Sequence, residues 1–467
     1  MFFGREKELG ILQKAYDSEK FEYIVIYGRR RVGKTSLLNE FVKKNPGIFL
    51  SCVEQNDELN RRMFTDSVCS YFGYPSSLKF DDWSSAFDFF DSLMEKDSSS
   101  RKFLLILDEY PYAAKANPSL SSILQNRVDK VWQENERLKL ILCGSSLSFM
   151  QDEVLSEKAP LYARQTKQFE VLPFDYSVTE DFFPRMSNEE RIATYGILGG
   201  VPLYLSKFRD GLSLKENIQE ALLEDGSVLF EEPINLLKAE FQEPYFYNSL
   251  LSAIASGAST LNEIATKVQE ETSKVGKYLE SLRKVHIVER ILPYGEKEKS
   301  RKGVYTISDN YFSFWFRYIF AHQGQIQFMG PEAYANKIME TLDVFLGHAF
   351  EKTCEQYIQK LAQKGELPFI PNGIGRWWGN NPIQKKQDDV DILGRDGKRG
   401  LFVECKFRNE PFGLKEFQDL LNASEIFRDI KEKHYMVIVK SSYTDAVKKE
   451  ASQYPVKLLT IDDMFKI

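Results

Sequence analysis

Three stretches of the chain carry residue types suited to phosphate chemistry. The first is Gly28-Arg29-Arg30-Arg31-Val32-Gly33-Lys34-Thr35-Ser36, directly after an apolar run from Tyr23 to Tyr27. It has the form G-x-x-x-x-G-K-[ST]. Its glycines let backbone N–H groups turn inward around a phosphate, Lys34 reaches the β- and γ-phosphates, and the Thr35 hydroxyl holds Mg²⁺. A helical pattern opens near Lys34, so its N-terminal N–H groups and dipole add to the same anion site. ATP with Mg²⁺ is the ligand this arrangement predicts.

The second stretch is Phe103-Leu104-Leu105-Ile106-Leu107-Asp108-Glu109. A continuous apolar run closed by two acids suits a buried parallel strand that empties at the carboxyl edge of a sheet, where open α/β sheets bind ligands. There Asp108 holds Mg²⁺ through water and Glu109 polarises the attacking water as general base. A further run, Leu138 to Cys143, ends in Gly144-Ser145-Ser146 and places a hydroxyl, Ser145 or Ser146, beside the γ-phosphate or the water. Arg164 is a candidate for the phosphates or for a subunit contact.

The third stretch is Asp388-Asp389-Val390-Asp391, the turn Asp396-Gly397, and Glu404-Cys405-Lys406. Residues two apart on a strand share a face, so Glu404 and Lys406 point together. Asp391 joins them across the hairpin that Asp-Gly predicts. Two carboxylates bind a hard Mg²⁺, and the ammonium positions a water and stabilises phosphorane-like charge. Asp388 and Asp389 stand close enough to exchange that role with Asp391.

The elements that must hold these groups follow from periodicity. Leu37, Leu38, Phe41 and Val42 continue the helix after the loop, Ile48 to Cys52 reads as a short strand, and Trp83, Phe87, Phe90 and Leu93 form a helical core stripe. Phe246–Ala255, Leu261–Val268 and a helix capped by Thr272 are followed by strands at Ile287–Pro293 and Gly303–Ile307, which flank a charged turn. Thr260 and Glu263 form a capping box. Lys274, Lys277, Arg283 and Lys284 lie on or near the third helix, and Lys297, Lys299, Arg301 and Lys302 lie in the turn. This is the most basic region of a chain with net charge −6, so contact with a DNA backbone is expected here rather than through global attraction.

Phe3-Gly4-Arg5-Glu6, the loop Gly28 to Thr35, Leu107-Asp108-Glu109, Gly144-Ser145-Ser146 and Gly199-Gly200-Val201-Pro202-Leu203-Tyr204-Leu205 occur in that order. Together they resemble the archaeal-type ATPase family, a branch of the AAA+/STAND P-loop NTPases. The resemblance implies a parallel sheet with a helical lid, the neighbourhood of Glu6 near the base, and Gly199 to Leu205 in the lid. The three helices and hairpin resemble a winged helix-turn-helix, whose third helix can enter a major groove. The last part resembles a PD-(D/E)xK restriction-endonuclease-like fold. There Asp391 supplies the first acid, Glu404-Cys405-Lys406 the E-x-K, and Glu351 the acid on the opening helix. Together with Arg376-Trp377-Trp378 it also looks like the C-terminal domain of unknown function that accompanies many such ATPases. Val390 stands where the first motif would have proline.

The expected class is α/β, with an ATPase core over 1–172, a lid over 173–238, a winged helix over 239–322 and an endonuclease-like domain over 323–467. A length of 467 residues allows about three domains. Five scattered cysteines without a C-x-x-C pair point to free thiols in a reducing cytoplasm. The charged start shows no secretory signal, and the aromatic run Phe312 to Phe320, which contains Arg317, is too short to cross a bilayer. Partners expected are ATP, DNA, and a protein or a second copy of the chain. The rival functions are a non-nucleolytic signalling ATPase whose C-terminal domains dock proteins, and an NTPase that only binds ATP.

Overall fold

A computed structural model describes residues 2–76, 78–382 and 385–466. The chain forms two compact units, one ending at Pro173 and one starting at Phe174.

The first unit contains α1 (Glu6–Asp17), β1 (Glu22–Tyr27), α2 (Lys34–Lys44), β2 (Ile48–Ser51), α3 (Asp57–Phe72), α4 (Trp83–Lys96), β3 (Phe103–Asp108), α5 (Tyr110–Ala116), α6 (Leu120–Lys130), β4 (Leu138–Gly144) and β5 (Lys167–Glu170). The strands pair in the order β2-β3-β4-β1-β5, all parallel. Alternate side chains serve opposite faces. Tyr23, Val25, Leu105 and Leu107 join the core built by Phe64, Trp83, Phe87, Phe90 and Trp132. Ile24, Ile26, Leu104 and Ile106 pack with Leu12, Leu37, Leu38 and Phe41 on the other face. The expected stripe Trp83, Phe87, Phe90, Leu93 is buried throughout. Because β1, β3 and β4 run parallel and neighbour one another, their carboxyl ends deliver Gly28, Asp108 and Gly144 to one edge.

In the second unit the Asn188–Leu198 helix carries a capping box of Ser187 and Glu190. The helices Pro244–Ala255, Leu261–Val268 and Thr272–Lys284 follow, then an antiparallel hairpin of β6 (Val288–Ile291) and β7 (Val304–Ile307). The Thr260–Glu263 capping box is formed. Thr272 does not cap the third helix: it is that helix's first residue, and Glu271 stands at the cap with no side-chain bond to it. The aromatic run forms the helix Asn310–Tyr318, burying Phe312, Phe314, Trp315 and Phe316.

A 34-residue helix, Pro331–Lys364, leads to β8 (Ile374–Asn381), β9 (Lys386–Asp396), β10 (Arg399–Lys406), β11 (Glu432–Val439) and β12 (Val456–Thr460). Their order is β12-β11-β10-β9-β8; β8 and β9 are antiparallel to their neighbours, while β10, β11 and β12 run parallel. The Arg376-Trp377-Trp378 segment is the edge strand β8, with Trp377 packed 5.0 Å from Phe427. This sheet is tied to the helices that begin the unit. The Tyr176 hydroxyl donates to Met464 O at 2.7 Å, Asn188 bonds Asp462 at 2.8 Å, and the buried Lys440 ammonium meets Glu189 at 2.7 Å and Asp343 at 3.3 Å. Gly196 lets its helix and the Pro331–Lys364 helix approach closely: a Cβ there would lie 2.5 Å from Leu346 Cδ2, which would have to shift.

Candidate functional site

The loop after β1 is shaped by its backbone. Gly28 has φ +151°, and a Cβ on it would lie 2.5 Å from Val171 O. Gly33 has φ +93° and stands at the N-cap of α2. Both positions require the freedom of glycine, and between them Arg31 also has positive φ, +73°. Lys34 is buried, and its ammonium donates to Gly28 O at 2.8 Å and Arg29 O at 3.0 Å, so the head group lies inside the loop. Burial pushes this ammonium down, while Cys143, Glu109 and Asp108 oppose the shift. Val32 is wholly buried in the core beneath, and Ser36 is exposed on the first turn of α2.

The Thr35 hydroxyl donates to Asp108 Oδ2 at 2.8 Å, joining the loop to the end of β3. Burial pushes the Asp108 carboxyl up, and hydrogen bonds from Cys143 and Thr35 pull it back. Glu109 has φ +51°, an uncommon backbone for a side chain of its size. Its Oε2 accepts from the Ser145 hydroxyl at 2.7 Å and from Ser145 N at 3.2 Å. Arg30 donates to the Tyr112 hydroxyl at 3.0 Å on α5. Gly28 to Thr35, Asp108, Glu109 and Ser145 are therefore brought together. These residues fit a Mg²⁺-nucleotide: a glycine-framed loop at the N-terminus of a helix, an ammonium inside it, and a hydroxyl touching a buried carboxylate.

Arg164 is not brought to the loop. Its guanidinium is bidentate on Asp129 of α6, at 2.7 and 2.9 Å. The register explains this: Lys167 pairs with Ile24 near the start of β1, so residue 164 belongs to the amino edge of the sheet and the loop to the carboxyl edge. Sequence reasoning also passed over Arg5, naming it only within a motif. Buried at the start of α1, it donates to Val32 O at 2.9 Å, Leu172 O at 2.9 Å and Glu8 at 3.0 Å. Its only signal was an arginine next to a glycine ahead of an amphipathic helix.

On β9 and β10, Asp391, Glu404 and Lys406 also meet. Lys406 Nζ lies 2.5 Å from Glu404 Oε1 and 3.5 Å from Asp391 Oδ2, and Asp391 Oδ2 accepts from Cys405 N at 2.8 Å. Burial raises both carboxyls. Asp391 is lowered again by Lys406, and Glu404 is raised further by Asp391. The paired acids hold the Lys406 ammonium above its ordinary value against burial.

Glu351 does not complete this group. Its carboxylate faces Arg376 of β8 at 3.5 Å and His348 at 3.6 Å, while Arg376 also holds Asp389 at 2.9 Å. Asp388 bonds Asn381. Among the described residues no three His, Cys, Asp or Glu side chains are arranged to hold a metal ion, so the expected trio reduces to the pair Asp391 and Glu404. This pair still suits a hard cation, with two oxygen donors meeting at one ammonium.

Residues 2–208 match a family described as an ATPase domain predominantly from Archaea, and residues 315–420 match one described as archaeal and bacterial proteins of unknown function. The chain is 35% identical over 445 residues to an uncharacterized protein of Methanocaldococcus jannaschii, MJECL04, covering 94% of this chain and 96% of that one. An uncharacterized ATP-binding protein of the same organism, MJ0423, is 44% identical over 43 residues, which are 9% of this chain and 73% of the relative. Among solved structures, the Walker-type ATPase PABY2304 of Pyrococcus abyssi aligns with a TM-score of 0.51 at 21% identity, covering 68% of this chain and 96% of that one. The parallel sheet, the loop geometry and these matches agree, and the chain belongs to the archaeal-type ATPase family.

Proposed function

We propose that the protein is a Mg²⁺-dependent ATPase whose C-terminal sheet acts on the phosphodiester backbone of DNA. The observation that carries the first half is the 2.8 Å bond between Thr35 and Asp108, beside a Lys34 ammonium held within the loop. Lys34 binds the β- and γ-phosphates, and Thr35 and Asp108 hold Mg²⁺, which supplies neutralisation of phosphate charge. Glu109, once its carboxylate leaves Ser145, accepts a proton from the attacking water. Ser145 then has its hydroxyl free for the γ-phosphate. The test is phosphate release with Mg²⁺: Lys34→Ala loses ATP binding, whereas Glu109→Gln keeps binding and loses turnover. Equal turnover in Glu109→Gln would remove Glu109 from its role.

At the second site, Asp391 and Glu404 hold Mg²⁺ and Lys406 orients a water for attack on phosphorus. Supercoiled plasmid with Mg²⁺ or Mn²⁺ tests this, with nicking lost in Lys406→Ala. A rival reading has a specific support: Lys406 already bridges both carboxylates and Glu351 is engaged by Arg376. In that reading the sheet docks protein partners and nucleotide state governs assembly. Absence of nicking with either metal would favour it. Residues 239–322 serve as a winged helix in either case. Five free, buried thiols suit a reducing compartment such as the cytoplasm, and among the described residues no helix is long and apolar enough to cross a membrane.

A further inference from the structure

The β6–β7 hairpin is joined to the sheet that carries Asp391 and Glu404. Just past β6, Tyr294 N donates to Arg376 O at 2.8 Å, and the Tyr294 hydroxyl donates to Gly373 O at 3.3 Å. The acceptors lie on and beside β8, the edge strand, so the root of the hairpin takes up a backbone group that an edge leaves unpaired. Arg376 sits in the bulge between the pairs Gly375–Leu393 and Trp377–Val390, the stretch of β8 that faces Asp391. The hairpin root is therefore bonded to the strand next to β9, which carries Asp391, and lies two strands from β10, which carries Glu404.

The hairpin tip is held in shape. The Arg290 guanidinium donates to Glu298 O at 2.7 Å and to Ser300 O, and Lys302 pairs with Glu296 at 2.5 Å. Lys297, Lys299 and Arg301 are exposed and make no salt bridge among the described residues. Residues 295–302, GEKEKSRK, carry four basic and two acidic side chains and no apolar one. By contrast, the Thr272–Lys284 helix has Lys274 on Glu270 at 2.7 Å, Arg283 on Glu280 at 2.6 Å, and Tyr278 bonded to Glu243. Two of that helix's cations are thus already paired with carboxylates, whereas three at the hairpin tip are not, among the described residues.

We propose that the backbone of duplex nucleic acid lies along the hairpin tip, so that the wing and not the third helix carries polyanion binding. The proposal rests on the phosphodiester reading of the Asp391–Glu404–Lys406 cluster for its choice of partner. The pre-shaped tip loses little freedom on binding. Its lack of any apolar side chain leaves nothing to insert into a lipid surface.

The test uses the full chain with a fluorescein-labelled 30-base-pair duplex, read by anisotropy in EDTA over about 50–200 mM salt. The triple variant Lys297→Glu, Lys299→Glu, Arg301→Glu is expected to bind about tenfold or more weakly, with a salt slope shallower by roughly 2–3. The glutamine triple, which keeps neutral polar side chains in the tip, falls in between, and ATP binding stays unchanged in both. Lys277→Glu on the third helix changes affinity less than about twofold, within the range of an ordinary surface charge. Equal binding by the triple variant, or a larger loss from Lys277→Glu, overturns the proposal. So does wing-dependent binding to phosphatidylserine vesicles with none to the duplex. If the wild type binds through the wing but never nicks, only the reading of the acid pair fails. If it nicks and the triple variant nicks equally, the wing is excluded and the acid pair stands.

Discussion

Arg5→Ala removes a side chain that holds two carbonyls separated by most of the first unit. Val32 O belongs to the phosphate loop and Leu172 O to the segment that closes the unit, each 2.9 Å from the guanidinium. Arg5 is 5% exposed, so water cannot freely replace it. Each orphaned buried acceptor costs about 1–3 kcal/mol, and partial relaxation leaves a loss of roughly 2–4 kcal/mol. For a unit of this size that lowers Tm by about 5–15 °C. Nη2 serves both carbonyls while Nη1 holds Glu8, so Arg5→Lys recovers part of the loss: one ammonium can reach the two carbonyls but cannot also reproduce the second arm of the guanidinium fork. The assay is hydrogen exchange read by mass spectrometry over β1, the loop and β3, alongside thermal melting and ATP titration. Faster exchange confined to the loop and the 167–173 segment, with weaker ATP binding, is the expected pattern. A Tm within 2 °C of wild type and unchanged loop exchange would refute the bracing role.

Three other outcomes follow from the same geometry. Ser145→Ala removes the hydroxyl that holds Glu109 Oε2 at 2.7 Å; ATP binding is retained and kcat falls by about tenfold to a hundredfold, seen in single-turnover phosphate release. Asp391→Asn leaves Lys406 with Glu404 alone, and metal-stimulated nicking falls at least about a hundredfold while duplex binding persists, measured by plasmid relaxation and anisotropy together. Burial beside Glu289 pushes the Glu355 carboxyl up to about 7, with Lys352 opposing. The folded chain keeps a proton there that the unfolded chain gives up from 4.5 onward, so this stability is whole at low pH and lost as pH rises through 7. Allowing for its partial exposure, Glu355→Gln stabilises the second unit by about 1–2 kcal/mol at pH 8 and by nothing at pH 4.5, checked by urea melts.

The nucleotide loop was legible because its chemistry is local: two glycines, a lysine and a threonine within eight residues, bounded by a strand and a helix. The acid pair was legible for a similar reason, since Asp396-Gly397 sets the hairpin that aligns Asp391 with Glu404. Arg5 was not, because its acceptors lie 27 and 167 residues away. That Arg164 lies away from the phosphate loop was not legible, because which sheet edge it occupies depends on the register of β5 against β1. Glu351 sits on the expected helix, yet its carboxylate also faces Arg376, and no spacing rule anticipates a cation from another strand beside it. Thr272 offered a plausible cap, but the helix begins one residue earlier than that role requires. The partners of Tyr294 were equally hidden, since a tyrosine at a strand end carries no mark of the edge it will meet.

The bond from the Tyr176 hydroxyl to Met464 O closes the second unit across 288 positions of chain. While the polypeptide is being synthesised, everything after Phe174 must wait for residues near 464 to leave the ribosome before that closure can form. The first unit has every strand of its sheet by residue 170 and can settle much earlier. A nascent chain would thus hold a finished nucleotide fold while the following segments still expose apolar faces. Dependence on a chaperone should therefore concentrate in the second unit, where distant partners slow the search.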